Sequence, residues 1–305
     1  MQQTEKNKLK VEELKVIELI VTEEDLENFK RLDAYLASKI EKLSRTLIKK
    51  LFEQNHFSSS STKLELKRMP IAGTEITFSV PEVKPTEIIP QDIPLEILFE
   101  DSHLLIINKP AGLVVHPAPG NPDGTLVNAV LFHCKDLKGI GNEERPGIVH
   151  RLDKGTSGIM VVAKDQETHE GLVQLFSTHD IKRQYQAIAL GSRLPKSETL
   201  ESTIGRSPFN RLKMATNVKN GKFAKTHMQI SEVFKHFSHV ELTLETGRTH
   251  QIRVHLSELI NAPILNDPTY GKSKEEKHLM PQKLKSLIKE YEHPFLHAKV
   301  LGFVH

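Results

Sequence analysis

The sequence predicts an α+β protein in two parts: a large domain built on a mixed, mainly antiparallel sheet, and a small α+β module before it. Three observations predict this. At 305 residues and 38% hydrophobic, the chain can bury one large core with a small accessory domain beside it. Short apolar runs at 159–163, 184–190, 226–234 and 239–245 read as strands. The helical stretches among them lack the regular strand–helix alternation of a doubly wound fold.

Taken in order, residues 1–30 mix Lys and Glu around Leu14, Ile17, Leu19, Ile20 and Val21, a pattern that fits a short strand or a helix but lacks cap signals, and read as an acidic extension. From Arg31 the pattern sharpens. Leu32, Tyr35, Leu36 and Ile40 recur at helical spacing, and Ser44 is placed to cap a second helix. In that helix Leu47, Ile48, Leu51 and Phe52 share one face, while Lys42, Arg45 and Lys49 fall on another. Residues 63–80 alternate as short strands do, with Gly73 at a turn, so 31–80 form the small module. That module holds nine basic and five acidic side chains, either a solvated face or a phosphate-binding one.

Pro81, Pro85, Pro90 and Pro94 make 81–94 an extended interdomain linker. The large domain then spans 95–305. Its first strands, 95–99 and 104–107, read as a hairpin turned at Asp101 and Ser102, and helices are predicted at 124–133, 166–177 and 249–260.

Charge is distributed unevenly. Five lysines against eight acids give residues 1–30 a net −3, leaving +6 for residues 31–305 out of the total of +3. A basic body suits a polyanionic partner. No apolar run of membrane-spanning length occurs, and the start, Met1 to Lys6, lacks the apolar stretch of a secretory signal, so a cytoplasmic protein without a membrane partner is expected. Cys134 is the only cysteine, which excludes an intramolecular disulfide and a cysteine-based zinc site, and it reads as a buried small residue.

The sixteen histidines invite a metal reading, but His250 and His255 are five apart and no His-Glu-x-x-His occurs. Gly139 and Gly141 precede Asn142 with no Gly-Lys-Ser/Thr, so no phosphate loop forms, and no dinucleotide fingerprint is present. Neither metal nor cofactor is expected.

The densest loop chemistry lies at 147–158, where Asp153 stands between Arg151 and Lys154 just before the apolar run 159–163. Loops held by rigid strands are favoured places for reacting groups. Two readings are open from the residues: Asp153 closes an Asx turn braced by Arg151, or its carboxylate does chemistry. Further on, Arg206, Arg211, Lys213, Lys219, Lys222 and Lys225 crowd the loops between strands, as an ordinary charged surface or as a clamp on phosphates.

His150, Arg151, Leu152, Asp153, Thr156, Ser157 and Gly158 resemble the signature of the RluA/RluD-type pseudouridine synthases. Further blocks resemble the same family in the same order: 108–117 (Asn-Lys-Pro-Ala-Gly-Leu-Val-Val-His-Pro), 182–185 (Lys-Arg-Gln-Tyr) and 245–255 around Arg248, His250 and Arg253. Arg31, Leu32, Asp33, Tyr35 and Leu36, followed by Ser44 and Arg45, resemble the opening of the S4 RNA-binding domain.

The resemblance implies a pseudouridine synthase fold behind an S4-like module. It implies isomerisation of uridine in RNA, with Asp153 essential, Arg253 paired to it and Tyr185 against the uracil. Arg151 then braces the gap left by the extruded base, while Lys109, Arg248, Arg206, Arg211 and Lys213, with Arg45 and Lys49 of the module, contact RNA. A guanidinium beside a carboxylate favours its ionised form and orients it. Large-subunit ribosomal RNA is the implied substrate, with transfer RNA or a non-catalytic RNA-binding role as alternatives. A monomer without a protein partner is expected. Members of the family continue past the equivalent of Val304-His305, so the chain is expected to be truncated there.

Overall fold

A computed structural model describes residues 15–40, 45–80, 88–118, 120–135, 137, 139–142, 145–271, 278, 280–288 and 291–305. The chain divides into two compact units, Met1–Lys84 and Pro85–His305. Among the described residues, no helix is long and apolar enough to cross a membrane.

The first unit runs β1 (Lys15–Ile20), α1 (Glu23–Asn28), α2 (Leu32–Lys39), α3 (Arg45–Glu53), β2 (Phe57–Ser58) and β3 (Glu75–Val80), with its strands ordered β1-β3-β2. Residues 15–28 therefore belong to the unit, which corrects their reading as an extension. β1 pairs antiparallel with β3 along its whole length. The cap signal is also present: Thr22 accepts from the Asp25 amide and the Asp25 carboxylate accepts from that of Thr22, a reciprocal box at the start of α1. In α3 the predicted apolar face packs inward with Ile48 and Leu51 buried against Leu32, Leu36 and Phe78. Lys42 and Ser44 lie outside the described residues. The 63–74 stretch forms turns rather than strands, leaving β3 as its only strand.

The second unit opens on residues 88–94, the described part of the predicted linker. They lie against the domain: the Gln91 amide donates to Asn128 O, and Asn128 Nδ2 to Ile89 O. Its elements are β4 (Ile97–Glu100), β5 (Leu104–Lys109), α4 (Leu126–His133), β6 (Gly141–Asn142), β7 (Arg145–Pro146), β8 (Ser157–Ala163), α5 (Gln166–Thr178), β9 (Lys182–Leu190), β10 (Ser197–Arg206), β11 (Met214–Thr216), β12 (Lys222–Val233), β13 (Phe237–Leu244), α6 (Gln251–Val254), α7 (Gln282–Ile288) and β14 (Leu296–Gly302). Nine strands make one sheet, ordered β11-β10-β12-β13-β9-β14-β8-β5-β4, antiparallel except where β14 runs parallel to β8.

The predicted mixed, mainly antiparallel sheet is thus present, with strands β10, β11 and β14 beyond those read from sequence. β10 was hidden by its composition, Ser-Glu-Thr-Leu-Glu-Ser-Thr-Ile-Gly-Arg, in which three residues carry the buried face against exposed neighbours. The 249–260 helix is shorter than predicted: four α-helical residues pass into a π turn at His255–Leu259. Among the described residues of this unit the two largest apolar clusters lie along the sheet, one around Leu105, Ile107, Val130 and Met160, the other around Ala187, Met228, Leu242 and Leu256. Burial of such side chains contributes about 1.5–3 kcal/mol each.

Candidate active site

Asp153 sits in the connection from β7 to β8, and the chain there has little freedom. Gly147 at its start has a left-handed φ of 71°, and a Cβ would meet Ala163 O at 2.4 Å, so only glycine lets this loop lie against β8. Leu152 is buried in the first core, the Thr156 amide donates to Asp153 O at 3.0 Å, and the Gly112 amide donates to Lys154 O at 2.7 Å. At the loop's end, Gly158 lies so close to β14 that a Cβ would meet Ala298 O at 2.2 Å. Packing on both sides of Asp153 holds its carboxylate at a set place.

Arg253 meets it from α6. Its Nη1 donates to Asp153 Oδ2 at 3.1 Å across a separation of 100 residues. The same guanidinium forms a two-pronged pair with Asp267, Nε to Oδ2 at 2.7 Å and Nη2 to Oδ1 at 2.8 Å. Burial opposes the charge on Arg253, but Asp267 and then Asp153 outweigh it and raise its pKa. Asp267 is completely buried; burial alone would raise its pKa, and Arg253 with the Thr269 and Tyr270 amides brings it below the usual value. Tyr270 stacks under the arginine, its ring centre 5.1 Å from the guanidinium carbon. The Tyr270 hydroxyl lies 2.9 Å from His250 Nδ1, and His250 Nε2 is 3.8 Å from Asp153 Oδ2.

α6 is aimed by its entry turn. His250 adopts a left-handed φ of 57°, and the Gln251 side chain accepts from Thr246 Oγ1 and the Arg248 amide while donating to Lys225 O and Thr226 Oγ1. Four hydrogen bonds from one buried amide fix the 245–251 loop.

Tyr185 comes from the middle of the sheet, on β9, and packs against both cores. Burial pushes its phenol up to about 12, so it stays protonated at neutral pH. Beside it Arg183 donates to Glu245 O at 2.8 Å. His150 stacks on Phe176 at 4.5 Å, and its Nε2 accepts from the Val161 amide. Burial takes this histidine down to about 3, so it is a neutral wall element at physiological pH. Together these residues line a cleft of about 510 Å³ that includes Asp153, Arg151, Tyr185, Arg248 and Arg253. The cleft is walled by rings and guanidinium groups over a single carboxylate among the described residues.

Residues 103–258 match the family model described as RNA pseudouridylate synthase. The chain is 46% identical over 283 residues to the ribosomal large subunit pseudouridine synthase D of Zymomonas mobilis, covering 90% of this chain and 86% of that one. The chain belongs to the RNA pseudouridylate synthase family. The synthase is also 40% identical to the ribosomal large subunit pseudouridine synthase D of Pseudomonas aeruginosa, over 90% of its own length and 84% of the relative's. A solved human protein, RNA pseudouridylate synthase domain containing 4, superposes with a TM-score of 0.51 at 29% identity, covering 68% of the synthase and 83% of that chain.

Of the residues singled out in the sequence, the synthase gathers Asp153, Tyr185, Arg253, Arg151 and Arg248 around one cleft. Arg151 is exposed there and, among the described residues, forms no ion pair with Asp153, which pairs with Arg253 and has the His250 ring, whose pKa burial lowers, at 3.8 Å. Lys109 requires a correction. Its side chain is fully buried, with Nζ donating to Pro110 O and Leu113 O at 2.9 Å each, so it ties down the 110–113 turn and offers nothing to RNA at the surface. Arg206 is exposed and donates to Arg211 O, while Lys213 Nζ lies 5.6 Å from the Tyr270 ring. In the first unit Arg45 pairs with Asp33 at 2.9 Å and Lys49 is exposed near Glu53.

Asp267, Tyr270 and the role of His250 were missed. The available signal was the Asp-Pro-Thr-Tyr-Gly run at 267–271, a turn signature that carries an acid and a phenol. Cys134 is only partly buried, and its ligand atom lies with those of Glu100 and His133 within 4.8 Å of one another. Glu100 there is already paired at 2.8 Å with both His133 and Lys164, away from the cleft.

Proposed function

We propose that this synthase converts uridines of large-subunit ribosomal RNA to pseudouridine, with Asp153 as the catalytic carboxylate. The observation that carries the reading is the Asp153–Arg253 pair at 3.1 Å on the floor of a cleft lined by Tyr185, Arg151 and Arg248. The relatives named as large-subunit ribosomal enzymes supply the substrate class.

In the reaction the bond from ribose C1′ to uracil N1 breaks, the base turns, C5 bonds to C1′, the C5 proton leaves and N1 takes up a proton. Atoms balance without a cofactor. A carboxylate serves by attacking C1′, by removing a sugar proton, or by stabilising charge as the glycosidic bond breaks. Arg253 orients Asp153. Tyr185 lies against the uracil, and Arg151 fills the stack vacated by the extruded base. Arg248 and Arg206, Arg211 and Lys213 hold phosphates, and the first unit, as an S4-like module, adds Arg45 and Lys49. The enzyme works as a cytoplasmic monomer.

Tritium release from 5-tritiated uridine in ribosomal and transfer RNA tests this directly. Release from large-subunit ribosomal RNA supports the reading. Release from transfer RNA alone moves the substrate, and release from neither overturns the activity.

A further inference from the structure

Two of the most exposed apolar side chains among the described residues stand on one hairpin. Phe209 is 98% exposed and Leu212 is 80% exposed, both in the 207–213 tip joining β10 to β11. A floppy tip would explain this cheaply, but this tip is closed by its own hydrogen bonds. The Ser207 amide donates to Lys213 O at 3.0 Å, Ser207 Oγ accepts from the Phe209 and Asn210 amides, and Asn210 Oδ1 accepts from the Leu212 amide at 2.9 Å. Arg206 Nη1 adds a bond to Arg211 O at 2.7 Å. Several main-chain groups of the loop, with the Ser207 hydroxyl and the Asn210 side-chain oxygen, are thus bonded internally while its two large apolar groups are held in water. Such preorganised apolar surface fits a partner that pays back the exposure.

The hairpin's base is chained to the cleft. The Met214 amide donates to the Tyr270 hydroxyl at 2.8 Å, that hydroxyl lies 2.9 Å from His250, and His250 is 3.8 Å from Asp153. Phe209 lies five positions along the chain from Met214, a reach of at most about 18 Å. That keeps the tip within a few nucleotides' length of the cleft, in range of RNA flanking a nucleotide bound there. Charge names the class of partner: residues 202–231 contain Arg206, Arg211, Lys213, Lys219, Lys222 and Lys225 and not one Asp or Glu. Cations interleaved with apolar faces are what an unpaired stretch of RNA takes, phosphates on the charges and a base on the ring.

We propose that Phe209, backed by Leu212, stacks on an unpaired nucleobase flanking the target uridine. This rests on the reading of the cleft as an RNA-modifying site. The hairpin so becomes a second reader of the substrate, selecting RNA in which a neighbour of the target is unstacked.

The chain has no tryptophan, so Phe209→Trp, made with Asp153→Asn to prevent turnover, places a single reporter at the tip. A stem-loop of ribosomal RNA should quench its fluorescence; a fully paired duplex of the same length should not. In the active enzyme, Phe209→Ala with Leu212→Ala should raise KM about tenfold, leave kcat at saturating RNA within about twofold, and leave the salt dependence of binding unchanged. Arg211→Ala should flatten that salt dependence. Far-UV circular dichroism and Tm confirm folding of each variant, because the tip carries no core residue. Unquenched fluorescence together with an unchanged KM overturns the proposal while wild-type tritium release leaves the activity standing, and marks the tip as a surface for another protein. Absence of wild-type release overturns the activity instead, and the fluorescence measurement then still decides whether the tip stacks on RNA.

Discussion

Each unit of the protein contains a carboxylate–guanidinium cluster, and the two are built in opposite senses. In the first unit one acid serves two bases: Asp33 receives Arg31 at 2.8 Å and Arg45 at 2.9 Å, with Arg31 Nε on its other oxygen at 3.0 Å. Its acceptors are occupied, and the hydrogen bond from Arg31, above all, holds its pKa far below the usual carboxylate range. In the second unit one base serves two acids. Asp267 takes the two-pronged contact with Arg253, leaving Asp153 only the remaining Nη1. A cluster that saturates its acid ties chain to chain. One that divides a guanidinium between a buried acid and a partly exposed one anchors the base with the first and leaves the second with open acceptor positions facing the cleft.

The sharpest way to break this contrast is Asp153→Asn, which is expected to lower tritium release by about 10²–10⁴-fold or more while Tm stays within a few degrees of wild type. Wild-type turnover in the purified variant would remove Asp153 from the chemistry. Next in size is Asp267→Asn. Breaking a buried pair costs about 3–5 kcal/mol, to be read in urea unfolding, and activity falls with it because Arg253 loses its anchor. The pH dependence has a definite sign. Because the folded pKa of Asp267 is lowered, its stabilisation is fully present above its ordinary value of 3.8 and is lost as pH falls through the folded value. In Asp267→Asn that part of the acid limb should vanish.

Lys109 gives a third measurement. Burial takes its amine down to about 8 from an ordinary 10.5, with the Asp153 charge acting the other way. Between those values the unfolded chain holds a proton that the folded chain has released, so this group makes stability rise with pH from about 8 to 10.5. Lys109→Met should abolish that rise, and an unaltered slope would contradict the buried placement. Smallest is Asp33→Asn. Arg31 and Arg45 are about half exposed, so losing their shared acid should cost about 0.2–1 kcal/mol, and less in high salt.

Much of the site was legible before folding was considered. The Asp153 loop is dense in turn-forming and charged residues ahead of an apolar strand, and Tyr185 and Arg253 stand in blocks whose order matches one family. Other features were illegible for stateable reasons. Lys109 sits in one of those blocks, yet spacing carries no information about which way a long amine points; two main-chain carbonyls of its own turn drew it inward. β1 fitted a short strand and a helix equally because its partner β3 lies some sixty residues away, and pairing rather than local preference makes it a strand. Nothing in the sequence sets Phe209 and Leu212 apart from other apolar loop residues; the closure of the hairpin is what holds them outward.

By itself, then, the sequence determined the chemistry on offer: an acid flanked by bases in a loop, a phenol on a strand, an acid-free basic stretch, and strands enough for one large sheet. Those follow from residue type and local period, which a linear chain carries intact. Only the tertiary structure decided who pairs with whom. Asp267 becomes the anchor of Arg253, and Arg253 reaches Asp153 across 100 residues, because burial strips water from Arg253 and Asp267 and from much of Asp153, and the nearest opposite charge is then the partner that remains.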